Sequence, residues 1–535
     1  MSFNDKNMIS SLIYKIEEKI NFFIEKPIFS LFIIGAISLA IRLLFFEPEI
    51  PIRQDANAYF WYAIDMSILN YFPNSYHAND GWPIFLSSIF SIFNFSTYLD
   101  YTILQRVSTI LISIITIIPL YYLCKKFFQP SYSLVGAALF AFEPHLIQNS
   151  LLGLTEPLYI ILVITSLTLF LSENKKLTYV SFGIIALSTL VRAEGIIIFG
   201  ILSILLFIFN KRDKKIIGKV LLAISIFVII FGSMTIIKAD ANEDGLESTA
   251  ALNIGRWAEN TVTNQNNQVF DKIGNGVETL VKRLAQSMIP YFALFVPFGI
   301  ILVIKDQNKN KFLILILLCI YLIALMRMFS IVTDGRLLLV LYPLFVILSV
   351  YTIQHLTQKF EIKKIFLILI IGGCIILSTY FLYSNSNSEY QKEAYIFANY
   401  MVNNVEVSNN FYPESGLVYG AWASSELKFP IISSDAKYSG PELLDYIKDS
   451  NFVYLTQSAN SVEDYIELAR NQNLSHLVID NNEKRMLYFK DIFYNEERYP
   501  YLIKEFDSIK EGYSHYNVKI FKIDYKSFDT VSKYN

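Results

Sequence analysis

Three cysteines in 535 residues, Cys124, Cys319 and Cys374, lie too far apart for a disulfide framework or a zinc-binding spacing. Net charge is equally scarce. With 45 Lys and Arg against 47 Asp and Glu the balance is −2, so no global attraction to nucleic acid is available. What the chain has in quantity is apolar surface: 53% hydrophobic residues and a mean hydropathy of +0.40, arranged in membrane-length blocks. That excludes an ordinary soluble globular protein. Aromatic residues make up 15%, with 43 Phe and 35 Tyr, which suits core, lipid-facing and interfacial positions alike.

The first 26 residues are of mixed charge, with Lys15, Glu17, Glu18 and Lys19, and predict a helix. The apolar run that follows, Pro27 to Phe46, is too long and too poor in small residues at its end for a cleaved signal peptide. It reads as a retained span. At roughly 20 apolar residues per span the chain offers about eleven candidates. They lie near 28–46, 103–123, 131–150, 154–171, 177–191, 195–210, 216–237, 289–304, 312–330, 337–354 and 364–383.

Lysines sort the connecting loops. Lys125-Lys126, Lys175-Lys176, Lys211-Arg212 with Lys214-Lys215, Lys305 with Lys309 and Lys311, and Lys363-Lys364 occupy every second one. By the positive-inside rule those loops are cytoplasmic. The expectation is a multi-pass plasma-membrane protein with its amino terminus in the cytoplasm and its carboxyl terminus outside. The other side then holds a first loop from Glu47 to about Tyr101, with Asp55, Asp65, Asp80 and an amphipathic piece starting at Gly81-Trp82-Pro83. It also holds a later loop, Lys238 to Ser287, rich in Asn, Asp, Glu and Gly.

After Tyr383 the hydropathy falls, and Ser384-Asn385-Ser386-Asn387-Ser388 reads as a linker. The reading divides the chain into a polytopic α-helical membrane domain, 1–383, and an extracytoplasmic α/β domain, 384–535. Strands are expected at Gly416–Tyr419, Phe452–Thr456, His476–Ile479 and Val518–Ile523, the last half-exposed by its period-two pattern. Helices are expected at Glu442–Ile447 and Val462–Ala469. This tail has no Gly-rich phosphate loop and so gives no reason to assign a nucleotide.

The ionisable residues in the apolar region gather at one depth. Arg42 and Arg106 flank the first outer loop, where Arg53 and Asp55 also lie. Glu143, His145 and Glu156 bracket the third and fourth candidate spans. Arg192 and Glu194 sit between the fifth and sixth, and Arg327, Asp334 and Arg336 between the ninth and tenth. Arginines on the outer side run against the positive-inside trend, so something must offset them. Two accounts are open. One pairs neighbours as helix-end ion pairs, Arg192 with Glu194 and Asp334 with Arg336. The other builds a pocket in which carboxylates activate an acceptor or bind a metal and planar guanidinium groups hold a phosphate. The arrival of Glu143, Glu156, Arg192 and Arg336 from separate segments at one depth favours the pocket.

This pattern resembles the GT-C superfamily of membrane glycosyltransferases, and within it the protein O-mannosyltransferase and aminoarabinose-transferase-like group. The resemblance rests on Asp55 with Tyr59 four residues on, Gly81-Trp82-Pro83, Glu143-Pro144, Thr155-Glu156-Pro157, Val191-Arg192-Ala193-Glu194-Gly195, and Gly335-Arg336 through Pro343. It covers roughly 28–383, and the order and sidedness of the motifs carry it rather than any one of them. It implies transfer of a sugar from a polyprenyl-phosphate-linked lipid donor to a protein, lipid or glycan acceptor at the outer face. On that reading Asp55 is the general base, and Glu143 and Glu156 position the acceptor or a cation. Arg53, Arg192 and Arg336 bind the donor phosphate, and Tyr59, Glu194 and His145 complete the pocket.

Two departures from the family pattern bear on cofactors. The Asp-Glu pair of the mannosyltransferases is Asp55-Ala56 here, and the Asp-x-Asp metal motif of oligosaccharyltransferases is absent. No cofactor is therefore fixed, and a divalent cation, Mg²⁺ or Mn²⁺, is the one such carboxylates would take. The rival from another class is a transporter or flippase of lipid-linked sugars, which would place substrate groups near the midplane between two related halves. No such halves are visible. A non-enzymatic sensor, the third reading, leaves the outer arginines unexplained.

Overall fold

The computed structural model describes residues 25–50, 55–68, 80–93, 98–241, 269–305, 310–329, 334–358, 363–385, 417–420, 461–470, 474–481 and 487–531, with 52, 95 and some positions between 389 and 400. The expected amino-terminal helix, the strand at Phe452–Thr456 and the helix at Glu442–Ile447 lie outside these. The chain divides into two compact units, one of residues 1–46, 72–88 and 105–385, the other of 47–71, 89–104 and 386–535.

In the first unit a helix occupies each apolar block read from the sequence. Five helices are long and apolar enough to cross a membrane: Pro27–Leu44, Leu99–Cys124, Ile216–Ile237, Gly335–Thr357 and Ile365–Ser384. A sixth span results if Gly276–Ser287 and Phe292–Lys305, bent by 110° at their junction, are taken together. Shorter apolar helices include Pro130–Ala141, Glu156–Phe170, Gly195–Phe209 and Leu313–Met326. The blocks overstate helix length where proline punctuates them. The stretch read as one span at 131–150 is two helices, Pro130–Ala141 and Pro144–Ser150, because Pro144 cannot donate to a continuing ladder.

Several of these helices could not stand in water. Ile28, Phe32, Leu294 and Ile376 are each more than 60% exposed although they belong to apolar helices. Such rows of bare aliphatic and aromatic groups are stable against lipid tails. Inside the unit, close approach supplies the packing. A Cβ on Gly299 would stand 2.1 Å from the Leu348 carbonyl oxygen, so helices Phe292–Lys305 and Tyr342–Thr357 meet backbone to backbone. One part of the expected outer loop is also helical. Val269–Ser287 carries Val277, Leu280 and Leu284 at helical spacing with no continuous apolar run, which is why its composition reads as loop.

In the second unit, helix Asp55–Ser67 buries Tyr59, Phe60, Trp61, Tyr62 and Ile64. Its Phe60 ring packs edge-on against Phe90, and Phe90 against Tyr101, at centroid distances of 5.8 and 5.1 Å. The tail forms a mixed sheet of β1 (Leu417–Gly420), β2 (Leu474–Asp480), β3 (Leu502–Asp507) and β4 (Val518–Ile523) in the order β1-β2-β4-β3. β1 runs parallel to β2, and β4 is antiparallel to both β2 and β3. Helices Val462–Arg470, Leu487–Tyr494 and Tyr525–Val531 cover one face through Ile466, Phe489, Ile492 and Phe528. The expectation of a half-exposed β4 needs correcting, since Val518, Ile520, Phe521 and Ile523 are all buried. β4 is an inner strand. On its second face Ile520 stands opposite Phe506, against whose ring Phe397 and Tyr400 pack.

Candidate functional site

The site grows from a short segment that is neither inside one helix nor free loop. Glu143 caps helix Pro144–Ser150, its Oε2 accepting from the Leu146 amide at 2.7 Å, with Pro144 at the first helical position. Its Oε1 lies 2.8 Å from His145 Nδ1. The helix stops at Ser150, the chain turns through Gly153 with φ +74°, and helix Glu156–Phe170 begins on Thr155-Glu156-Pro157. A turn among apolar helices leaves carbonyls that must find donors. Here side chains provide them. Thr109 Oγ1 donates to Ser150 O at 2.8 Å, Arg106 Nε to Leu151 O at 2.7 Å, and Gln105 Nε2 and Trp82 Nε1 to Gly153 O at 2.7 and 3.2 Å. Trp82, picked out in the sequence only as part of Gly81-Trp82-Pro83, is thus one wall of this turn.

Glu156 leaves the turn fully buried and collects the charges. Its Oε1 accepts from Arg192 Nη1 at 2.5 Å and stands 3.9 Å from Arg336 Nη1. Its Oε2 accepts from Asn149 Nδ2 at 3.3 Å. Arg192, released from helix Lys175–Val191 as its C-cap, also reaches Thr155 Oγ1 at 3.2 Å and Glu194 at 2.8 Å. Arg336 lies on the 3₁₀ turn Gly335–Leu341, which Asp334 caps. Asp334 Oδ1 accepts the Arg336 amide at 2.9 Å, and its Oδ2 takes Nε of the same residue at 2.6 Å. Both local pairs therefore form, and Glu156 joins them. Three carboxylates, Glu156, Glu194 and Asp334, face two guanidinium groups in this cluster. The inner part is largely buried, whereas Arg336 and Asp334 are about a third exposed, at 31% and 34%. A small cavity opens beside the cluster, walled by Tyr159, Ile160, Tyr321 and Leu339.

The remaining predicted residues fall elsewhere. Asp55 is the first residue of helix Asp55–Ser67 and is exposed; Tyr59, one turn on, is buried. Both belong to the second unit, and Arg53 lies outside the described residues. Sequence reading missed Asn149, Tyr159 and Tyr321, and named Thr155 only as part of Thr155-Glu156-Pro157. The two tyrosines look like any others in a chain with 35 of them. A cation would need several carboxylates or imidazoles not already held by other charges. Among the described residues no three His, Cys, Asp or Glu side chains gather to hold one, and the clustered carboxylates are engaged by arginine.

No protein-family profile and no curated protein matches the sequence. Solved structures do. The apo oligosaccharyltransferase of Archaeoglobus fulgidus superposes with a TM-score of 0.56 over 85% of this chain and 69% of that one, at 14% identity. ArnT of Cupriavidus metallidurans in the apo state gives 0.55 over 92% and 97%, at 8% identity. The archaeal enzyme AglB, in complex with an inhibitory peptide and a dolichol-phosphate, gives 0.50 at 13% identity. What is shared is the GT-C fold. At such identities the likeness extends to architecture, and the chemistry has to be argued from this chain's own side chains.

Proposed function

We propose that the chain is a membrane glycosyltransferase that moves a sugar from a polyprenyl-phosphate-linked donor to an acceptor at the outer face. The observation that supports this most is the cluster in which Glu156 draws together Arg192 and Arg336 in a protein of GT-C fold. The reaction forms a bond from an acceptor oxygen or nitrogen to the anomeric carbon and breaks the bond from that carbon to the phosphate oxygen. The acceptor proton goes to a carboxylate, and the lipid phosphate leaves as an anion. Asp55 is the proposed base, an exposed carboxylate at the head of a helix. Arg336 is the proposed contact for the leaving phosphate, because its guanidinium is the more open of the two and its link to Glu156 is the longer.

Arg192 has a different part on this reading. Bound to Glu156, Glu194 and Thr155, it fixes the cluster and lends it positive charge at short range. Glu143 with His145 forms a second polar pair, at the start of the short helix Pro144–Ser150, assigned to the acceptor side. The part from 384 onward is assigned as an extracytoplasmic domain on the acceptor side, with no chemistry of its own.

Mass spectrometry of surface glycans and glycoproteins, with lipid extracts, in a strain lacking this protein tests the reading. We expect one sugar modification to vanish and its lipid-linked donor to accumulate, with restoration by the wild-type chain. Unchanged glycans, together with uptake of lipid-linked sugar by proteoliposomes and no transfer product, would establish a transporter instead.

A further inference from the structure

Arg42 lies in the first apolar helix, Pro27–Leu44, and is 1% exposed. A buried guanidinium normally has a carboxylate partner. Among the described residues no carboxylate is hydrogen-bonded to Arg42: its donors meet neutral oxygens, and the Glu143 charge acts on it only from further off. Nε donates to Ser150 Oγ at 3.0 Å and Nη2 to Ser113 Oγ at 2.9 Å. Nη1 donates to the Ala141 carbonyl at 3.2 Å and the Ser38 carbonyl at 3.2 Å, and also meets the Ser38 hydroxyl. Ser38 Oγ in turn donates to Ala141 O at 2.9 Å.

These partners have a pattern. Ala141 O is the last carbonyl before the break at Phe142-Glu143, and Ser150 is the last residue of the short helix after it. One rigid fork therefore grips both ends of the Glu143–Ser150 segment and ties them to Ser113 on helix Tyr98–Ile115. That segment presents Glu143 with His145 at its start and Asn149, which donates to Glu156, near its end. A lysine could carry the charge but could not reach Ser150, Ala141 and Ser113 in one plane. A leucine would fill the space and leave those oxygens to one another.

We propose that Arg42 is a positioning residue: it sets the spacing and orientation of the Glu143–His145 pair relative to Glu156 and Arg192. It touches no substrate. The proposal rests on the transferase reading above. It puts a specific burden on the guanidinium shape, since charge alone or bulk alone would not hold the segment at both ends.

The test uses the full chain in lipid nanodiscs, a polyprenyl-phosphate sugar as donor and membrane extract of a deletion strain as acceptor. Arg42→Lys, Arg42→Leu and Asn149→Ala are compared with wild type at a temperature where circular dichroism shows every variant folded. Arg42→Lys and Arg42→Leu should both lower kcat by roughly 10–100-fold, the scale on which small misplacements of reacting groups act, with donor KM changed less than about threefold. Combining Arg42→Lys with Asn149→Ala should cost at most about threefold more than the worse single change, because both act through one segment. A purely stabilising role predicts lower melting temperatures with kcat intact, and that result overturns the proposal. So does full activity in Arg42→Lys, or costs that multiply in the double variant. Absence of transfer by the wild-type chain itself overturns the transferase reading and this inference with it.

Discussion

Glu156 is one letter of a Thr-Glu-Pro triplet in sequence and the meeting point of two arginines in space. Its charge was legible because an acid stands out in an apolar stretch. The sequence put Arg192 and Arg336 at the same depth as Glu156, but which charge would pair with which was not legible, since Arg192 lies 36 residues away. Asn149 was illegible for a plainer reason, being a common polar residue whose importance comes only from what it touches. The tail offers a residue whose behaviour can be derived from geometry alone. Burial opposes ionisation of Glu393, but the amides of Ser514, Tyr516 and His515, at 3.0, 2.6 and 2.7 Å, outweigh it and hold the carboxyl at about 2, below its ordinary 4.5. A depressed folded-state pKa stabilises the ionised fold above about pH 4.5, and that contribution fades as pH falls toward 2. Hydrogen-exchange protection of the Ser514–Tyr516 amides, corrected for intrinsic rates, should drop across that window in wild type. In Glu393→Gln it should be low and flat throughout; a pH-dependent loss that survives in the variant would place the titrating group elsewhere.

Helices follow from the sequence more readily than their ends do. Blocks of apolar residues mark where helices run, because hydropathy integrates over many positions and tolerates local error. Breaks such as Phe142-Glu143 depend on one proline and one cap, and amphipathic Val269–Ser287 spaces apolar positions such as Val277, Leu280 and Leu284 among polar ones. In the tail, Val462–Arg470 and β4 were legible from periodicity, while β3 was not. β3 carries an irregular register between Lys504 and Phe506, which breaks the alternation that sequence reading depends on. Contact between elements was not legible at all. Gly299 looks like any glycine in an apolar helix, yet it is where Leu348 O approaches. Gly299→Ala should destabilise the membrane unit by about 1–3 kcal/mol through overpacking, lowering the thermal midpoint in detergent. Gly200→Ala, where an added Cβ meets nothing within 4 Å, is the control and should leave the midpoint level or raise it. Equal midpoints for the two would mean the helices do not meet at Gly299.

For the molecule as a whole, the fold shared with membrane glycosyltransferases and the bare apolar helices agree on a membrane protein. Sidedness is the prediction that belongs at this scale. In a cysteine-free background, Lys510→Cys in the tail should react with a membrane-impermeant maleimide in intact cells, and Lys214→Cys in a lysine-rich loop only after permeabilisation. Both positions are exposed, so accessibility to the reagent is decided by the membrane. The reverse labelling would put the lysine-rich loops outside and remove the proposed outer-face chemistry. The central claim, transfer with Asp55 as base and Arg336 on the phosphate, is tested most directly by purified protein given a polyprenyl-phosphate sugar and acceptor membranes. Asp55→Asn keeps size and hydrogen bonding but removes basicity, so transfer should fall by roughly 10²–10⁴-fold while polyprenyl-phosphate binding stays within about threefold of wild type. Arg336→Ala should instead weaken that binding by roughly 10–100-fold, the value of a charged hydrogen bond. Near-normal transfer by a folded Asp55→Asn protein would contradict the account.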